Sequence, residues 1–167
     1  SIGAKMQSTF ADKTSEFGPD VAASGRTLSE IITMASIIER EARTDADRRM
    51  ISGVLWNRID KGMPLQVDAV FGYIYSRQTY SPSYADLGVD SPYNTYTHKG
   101  LPPGPICSPG LSSIEAALHP TKTKFLFYLT GREGLMHYAT TYAGHKANLN
   151  AYCLSLKEYV RKLLLMS

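Results

Sequence analysis

The chain has 167 residues, of which 43% are hydrophobic, 20% charged and 10% aromatic, the composition of one ordinary globular domain rather than of a disordered chain. No run approaches the roughly 20 consecutive apolar residues a membrane-crossing helix needs, and Leu163-Leu164-Leu165-Met166 is only a short apolar end. The net charge is +3 and the basic residues are scattered rather than gathered into a block, which argues against a nucleic-acid partner.

The chain begins at Ser1, and no basic start, apolar run and small-residue cleavage site follow, so any anchor or targeting signal is expected to lie outside this sequence. Residues 1–27, broken by Gly3, Gly18-Pro19 and Gly25, read as an irregular or weakly helical segment at the edge of the domain that fills 28–167. From there Leu28, Ile31, Ile32, Ala35, Ile38 and Ala42 recur at helical spacing, with Thr27 or Ser29 as the N-cap. A second helix follows: Thr44-Asp45-Ala46-Asp47 resembles a capping box, Ile51, Val54, Leu55 and Ile59 form its apolar stripe, and Lys61-Gly62 closes it. Residues 63–109 are rich in Tyr, Pro, Gly and Ser, a texture of shaped loops in which a site is expected. A short helix over Ser112 to Leu118 precedes a buried strand over Phe125 to Leu129, a turn at Gly131 to Gly134 and a hairpin partner from Met136 to Thr141. Ala147 to Leu165 returns to helical spacing through Leu149, Tyr152, Leu156, Tyr159, Val160 and Leu163. Helices followed by a small antiparallel sheet predict an α+β fold.

Glu39 and Glu41 share the first strong helix but point roughly 200° apart, so both cannot enter one pocket. Glu39 has Arg43 four residues on, the favourable orientation for an ion pair, whereas Glu41 shares its flank with Met34, Ile37 and Ile38. Burial raises a carboxyl pKa, as a general acid working near neutrality requires, so Glu41 is the predicted acid; two solvated helix charges are the plainer alternative. Gln66 and Asp68 could hydrogen-bond a hydroxylated ligand, or Asp68 could only cap a helix over Val70 to Tyr75. Tyr93-Asn94-Thr95-Tyr96 offers amide, hydroxyl and aromatic groups suited to sugar rings, though such residues also make plain turns. His137 and His145 flank the second hairpin strand and could reach a cleft. The four histidines lack HxxxH spacing, and Cys107 and Cys153 lack CxxC spacing, so neither a metal nor another cofactor is expected.

Taken together, Met34-Ala35-Ser36-Ile37-Ile38-Glu39-Arg40-Glu41, Asn57-Arg58, Gly62-Met63-Pro64-Leu65-Gln66-Val67-Asp68, Tyr93-Asn94-Thr95-Tyr96 and Gly100-Leu101-Pro102-Pro103-Gly104-Pro105-Ile106 resemble, in order and spacing, the catalytic domain of the endolytic murein transglycosylases, the YceG-like family. The resemblance runs from about Leu28 to about Asn148. It implies non-hydrolytic cleavage of peptidoglycan glycan strands between N-acetylmuramic acid and N-acetylglucosamine, leaving 1,6-anhydro ends. It places the catalytic Glu at Glu41; Glu39, Gln66, Asp68, Tyr93, Asn94, Thr95 and His137 are the residues expected to bind the substrate. It further implies peptidoglycan synthases as partners, a site of action on the outer face of the bacterial cytoplasmic membrane, and an N-terminal membrane helix and LysM-like region outside this chain. The sequence departs from the family where Ala69-Val70 stands for Pro-Thr, where Gly144-His145-Lys146-Ala147-Asn148 stands for Glu-His-Asn, and at Cys107. A hydrolytic muramidase with Asp68 as second carboxylate, and a non-catalytic glycan-binding module, are the alternative readings.

Overall fold

The structure, a computed structural model, describes residues 15–153. Helix α1 (Gly18–Ser24) lies within the segment read as irregular or weakly helical, started by Pro19 and stopped by Gly25 in the left-handed region at φ 72°. Helix α2 (Leu28–Glu41) begins on a full capping box, in which the Thr27 hydroxyl accepts from the Glu30 amide and the Glu30 carboxylate accepts from the Thr27 amide. It is the centre of the molecule. Every residue from Ile31 to Ile38 is buried, so the helix is covered on all sides, and of the predicted apolar face only Leu28, 41% exposed, stays outside.

Helix α3 (Asp45–Asp60), capped by Thr44, and helix α5 (Leu111–Leu118) pack on α2 and on each other. Trp56 of α3 ties them by donating its indole N–H to the Ala117 carbonyl at 3.0 Å. Between them runs the loop region, interrupted by α4 (Ala69–Ile74) and a 3-10 turn at Asp86–Gly88. Ser36, buried in α2, accepts from the Ile106 amide at 3.0 Å, and so moors the proline-rich 102–110 loop to the central helix.

The two-stranded antiparallel sheet comprises β1 (Phe127–Thr130) and β2 (Met136–Ala139), with Tyr128 opposite Tyr138. The expected first strand started two residues too early. Phe125 and Leu126 are held otherwise: Asn57 donates to the carbonyls of Thr123 and Phe125, and the Arg58 guanidinium donates to the Leu126 carbonyl at 2.6 Å. The following helix, α6 (Tyr142–Asn148), starts earlier than predicted because Thr141 caps it through the Gly144 amide; a π-helical turn, Leu149–Cys153, follows. Leu156, Tyr159, Val160 and Leu163 lie outside the described residues.

Gly53 marks the closest approach in this packing. A Cβ at that position would lie 2.2 Å from the Thr121 backbone carbonyl oxygen, whose neighbouring amide is bonded to the Arg49 carbonyl. Gly53→Ala is therefore expected to destabilise the fold by about 3 kcal/mol despite alanine's higher helix propensity, measured by urea unfolding. A variant as stable as the parent would show that the 121–123 segment yields freely.

Candidate active site

Glu41 is the last residue of α2, where the chain leaves the helix through an extended Ala42. The apolar run that buries α2 thus carries this carboxyl to the edge of the core, where it stands half-buried. Tyr128 of β1 donates its hydroxyl to Glu41 Oε2 at 2.8 Å. Burial raises the Glu41 pKa above the ordinary value; the Tyr128 hydrogen bond opposes that rise, the Asp68 carboxylate adds to it, and the Ala69 backbone amide opposes it. The negative end of the α2 dipole acts in the same direction as burial. Among the described residues no ion pair involves Glu41. The result is a carboxyl that keeps its proton to higher pH than a solvated one, held in place by a neutral donor.

Asp68 approaches from the loop that follows α3. It stands at the N-cap of α4, as its sequence position suggests, yet its side chain makes no capping hydrogen bond and instead accepts from the Tyr96 hydroxyl at 2.5 Å. The loop before it is set by residues 94 and 95. The Thr95 hydroxyl accepts from the Val67 amide at 3.0 Å and the Thr95 carbonyl accepts from the Gln66 amide, with Gln66 in the left-handed region at φ 53°. A non-glycine residue there costs about 1 kcal/mol or more, which these bonds offset.

Two cavities meet at Glu41 and Asp68. The larger, about 1000 Å³, is lined by Arg40, Glu41, Asp68, Tyr73, Arg77 and Tyr93, with other residues of the 69–81 segment. The smaller, about 650 Å³, is lined by Glu41, Arg58, Gln66, Asp68, Tyr96, Phe127, Tyr128, Tyr142 and His145. Because both carboxyls belong to both walls, the cavities read as two arms of one groove with Glu41 at the junction. An extended ligand laid along it would carry one bond past the Glu41 proton.

The sequence-predicted site residues divide. Glu41, Gln66, Asp68 and Tyr93 line the groove. Asn94 and Thr95, expected to touch sugar, are 0% and 1% exposed and spend their hydrogen bonds on backbone. Asn94 donates to the carbonyls of Leu87 and Val89 and accepts from the Tyr96 amide, so its amide group shapes the loop from inside. Glu39 lines neither arm. It accepts a short hydrogen bond from Ser113 at the start of α5 and makes no ion pair with Arg43, because Ser113 and Gly110 stand against its side chain. His137 lies away from the groove, paired with Glu133 and stacked on Tyr152 at 3.5 Å between ring centroids. His145 reaches the smaller arm, stacked on Phe127 at 5.2 Å, its pKa lowered by burial and then by the Arg58 charge.

Arg58, Tyr96 and Tyr128 also line the groove, in individual roles the sequence did not indicate. Arg58 is buried, donates to the carbonyls of Leu126, Pro64 and Leu65, and lies under the Phe127 ring. Tyr96 orients Asp68. Tyr128 sits inside an apolar strand, and the one signal for it was a phenol in a run that buries its rings and must find its hydroxyl a partner. Asn94→Ala is expected to lower stability by roughly 1–3 kcal/mol, since two part-buried carbonyls and one amide lose their partner. Chemical unfolding checks this, and a loss below the error of the measurement would mean that water replaces the side chain.

Residues 1–151 match the model of the YceG-like family. The chain is 44% identical over 131 residues to the endolytic murein transglycosylase of Bacillus subtilis, covering 78% of this chain and 36% of that protein. It is 32% identical over 151 residues to the endolytic murein transglycosylase of Streptococcus pneumoniae strain D39, covering 87% and 27%. The crystal structure of a yceG-like protein from Listeria monocytogenes superposes with a TM-score of 0.82 at 37% identity, covering 86% of this chain and 47% of that one. The chain spans about a third or less of the length of the two transglycosylases.

Proposed function

The chain belongs to the YceG-like family, and from that premise we propose that it is a lytic transglycosylase domain that cuts inside peptidoglycan glycan strands. The observation that carries this reading is the half-buried, pKa-raised Glu41 carboxyl at the junction of a two-armed groove. A strand lying along both arms presents an internal bond to the carboxyl, which suits endo-cleavage. Glu41 gives its proton to the glycosidic oxygen as the bond to the muramoyl C1 breaks, releasing N-acetylglucosamine as the leaving alcohol. The Glu41 carboxylate then takes the proton of the muramoyl C6 hydroxyl while that oxygen bonds to C1, closing the 1,6-anhydro ring and restoring the acid. No water enters the balance. One carboxyl suffices because the nucleophile belongs to the substrate, and the Tyr128 hydroxyl holds the carboxylate between the two transfers.

Asp68 supports a second reading. It faces the same groove and its charge acts on Glu41, so it could instead activate water and make the domain a muramidase. Mass analysis of products from purified strands separates the two: anhydro-muramoyl ends are expected, reducing muramoyl ends would replace transglycosylation by hydrolysis, and intact strands would leave only glycan binding. Action on the outer face of the cytoplasmic membrane beside peptidoglycan synthases belongs to this proposal. Among the described residues no helix is long and apolar enough to cross a membrane.

A further inference from the structure

The two arms of the groove differ in charge as well as size. The smaller arm holds one guanidinium, Arg58, whose donors are already given to the carbonyls of Leu126, Pro64 and Leu65. The larger arm holds two, Arg40 and Arg77, both exposed; among the described residues neither forms an ion pair with a protein carboxylate, and Arg40 meets only the Cys107 thiol. Arg77 rests near the Tyr80 ring, 5.6 Å from its centroid. The loop behind it is fixed by Asp86, which accepts from the hydroxyls of Tyr75 and Tyr80 and from the amide and hydroxyl of Ser83. Gln78, Ser76, Ser81 and Ser91 add hydrogen-bonding groups along the same wall.

Two cations without carboxylate partners suit an anionic ligand, and the sugar rings of a peptide-bearing glycan carry no charge. The charged groups of such a strand are on the peptide linked to the muramoyl lactyl group, which ends in carboxylates. Resting on the function proposed above, we infer that the larger arm receives this peptide, with Arg40 and Arg77 binding its carboxylates, so that the domain prefers strands with charged stems. The extra volume of this arm, about 1000 Å³ against about 650 Å³, accommodates a branch that the smaller arm does not need. Asp68 stands with Glu41 at the junction of the two arms, bonded to Tyr96. Arginine suits this role because its planar fork meets a carboxylate with two parallel hydrogen bonds.

The test compares two substrates of equal size: uncrosslinked strands with native stems, and the same strands after carbodiimide and excess ammonia convert stem carboxylates to amides. The wild-type chain is expected to show a KM about 5- to 10-fold higher for the amidated strands, the effect of one or two partly solvated charge pairs, and the difference shrinks with added salt. Combined Arg40→Gln and Arg77→Gln substitution is expected to raise KM for native strands to the amidated level, whereas Arg77→Lys keeps part of the preference. Equal KM values for the two substrates with the wild-type chain, or a preference that survives in the double variant, would overturn the inference and leave the transglycosylase reading intact. Failure of the wild-type chain to cut either substrate would overturn both. The wild-type comparison needs no variant to fold.

Discussion

Glu41→Gln is expected to lower turnover on glycan strands by about 100- to 10,000-fold, because an amide cannot donate the proton that the departing oxygen needs. Glu39→Gln is expected to cost far less activity, since Glu39 holds Ser113 at the start of α5 and lines neither arm of the groove. The reverse ranking would reassign the acid. Stability supplies an independent check on the same variant. The folded-state pKa of Glu41 lies above its ordinary carboxyl value, so between the two values the folded chain binds more protons than the unfolded one and loses stability as pH rises. Gln at this position has no such loss and can still accept from Tyr128. Unfolding midpoints are therefore expected to favour the variant increasingly as pH climbs from about 4.5 through the Glu41 pKa, an inactive protein as stable as its parent or more so. A variant less stable than the parent across that range would mean the carboxylate has a favourable partner in the fold, contrary to the arrangement described.

The second large effect is expected from Tyr128→Phe. The hydroxyl donates to Glu41 at 2.8 Å, and such a bond favours the charged carboxylate over the neutral acid. Removing it leaves only the Ala69 amide to oppose burial and Asp68, so the Glu41 pKa rises further. Because the acid works only while protonated, the alkaline limb of the kcat profile moves to higher pH. The maximum falls at the same time, by about 10- to 100-fold, since the carboxylate formed in mid-reaction loses its hydrogen bond and its fixed orientation. A pH–kcat profile reads both changes in one experiment. A limb that moved to lower pH would show that the phenol acts on some group other than Glu41.

Helices α2 and α3 were legible because their information is local: Thr27 and Thr44 cap them, apolar positions recur at helical spacing, and Gly62 ends α3 in a left-handed turn at φ 68°. The separation of Glu39 from Glu41 followed from the 100° step alone, and the structure gives them different partners, Ser113 and Tyr128. The 63–109 loops were legible as loops but not in their inward or outward sense. Periodicity does not say that the Asn94 amide turns inward while Gln66 turns to the groove; that is decided by which backbone groups need partners once the chain folds back. Tyr128 was hidden for another reason. Its role depends on a contact with Glu41 across 87 residues, and nothing within its own strand encodes that neighbour.

The hairpin that carries Tyr128 has only two strands, and such a pair standing by itself is marginal in water. Its order is borrowed from α3, through the grip of Asn57 and Arg58 on the chain entering β1 and through the Tyr138 hydroxyl on Asp47. Local opening of the hairpin therefore takes with it the phenol that steadies the acid, while the helices that carry Glu41 stay folded. In hydrogen-exchange terms the amides of β1 and β2 are expected to form one weakly protected unit resting on a strongly protected one. On the proposed function the active site straddles that boundary, and the fraction of molecules competent to cut is then set by the free energy of the hairpin and is smaller than the fraction that is folded.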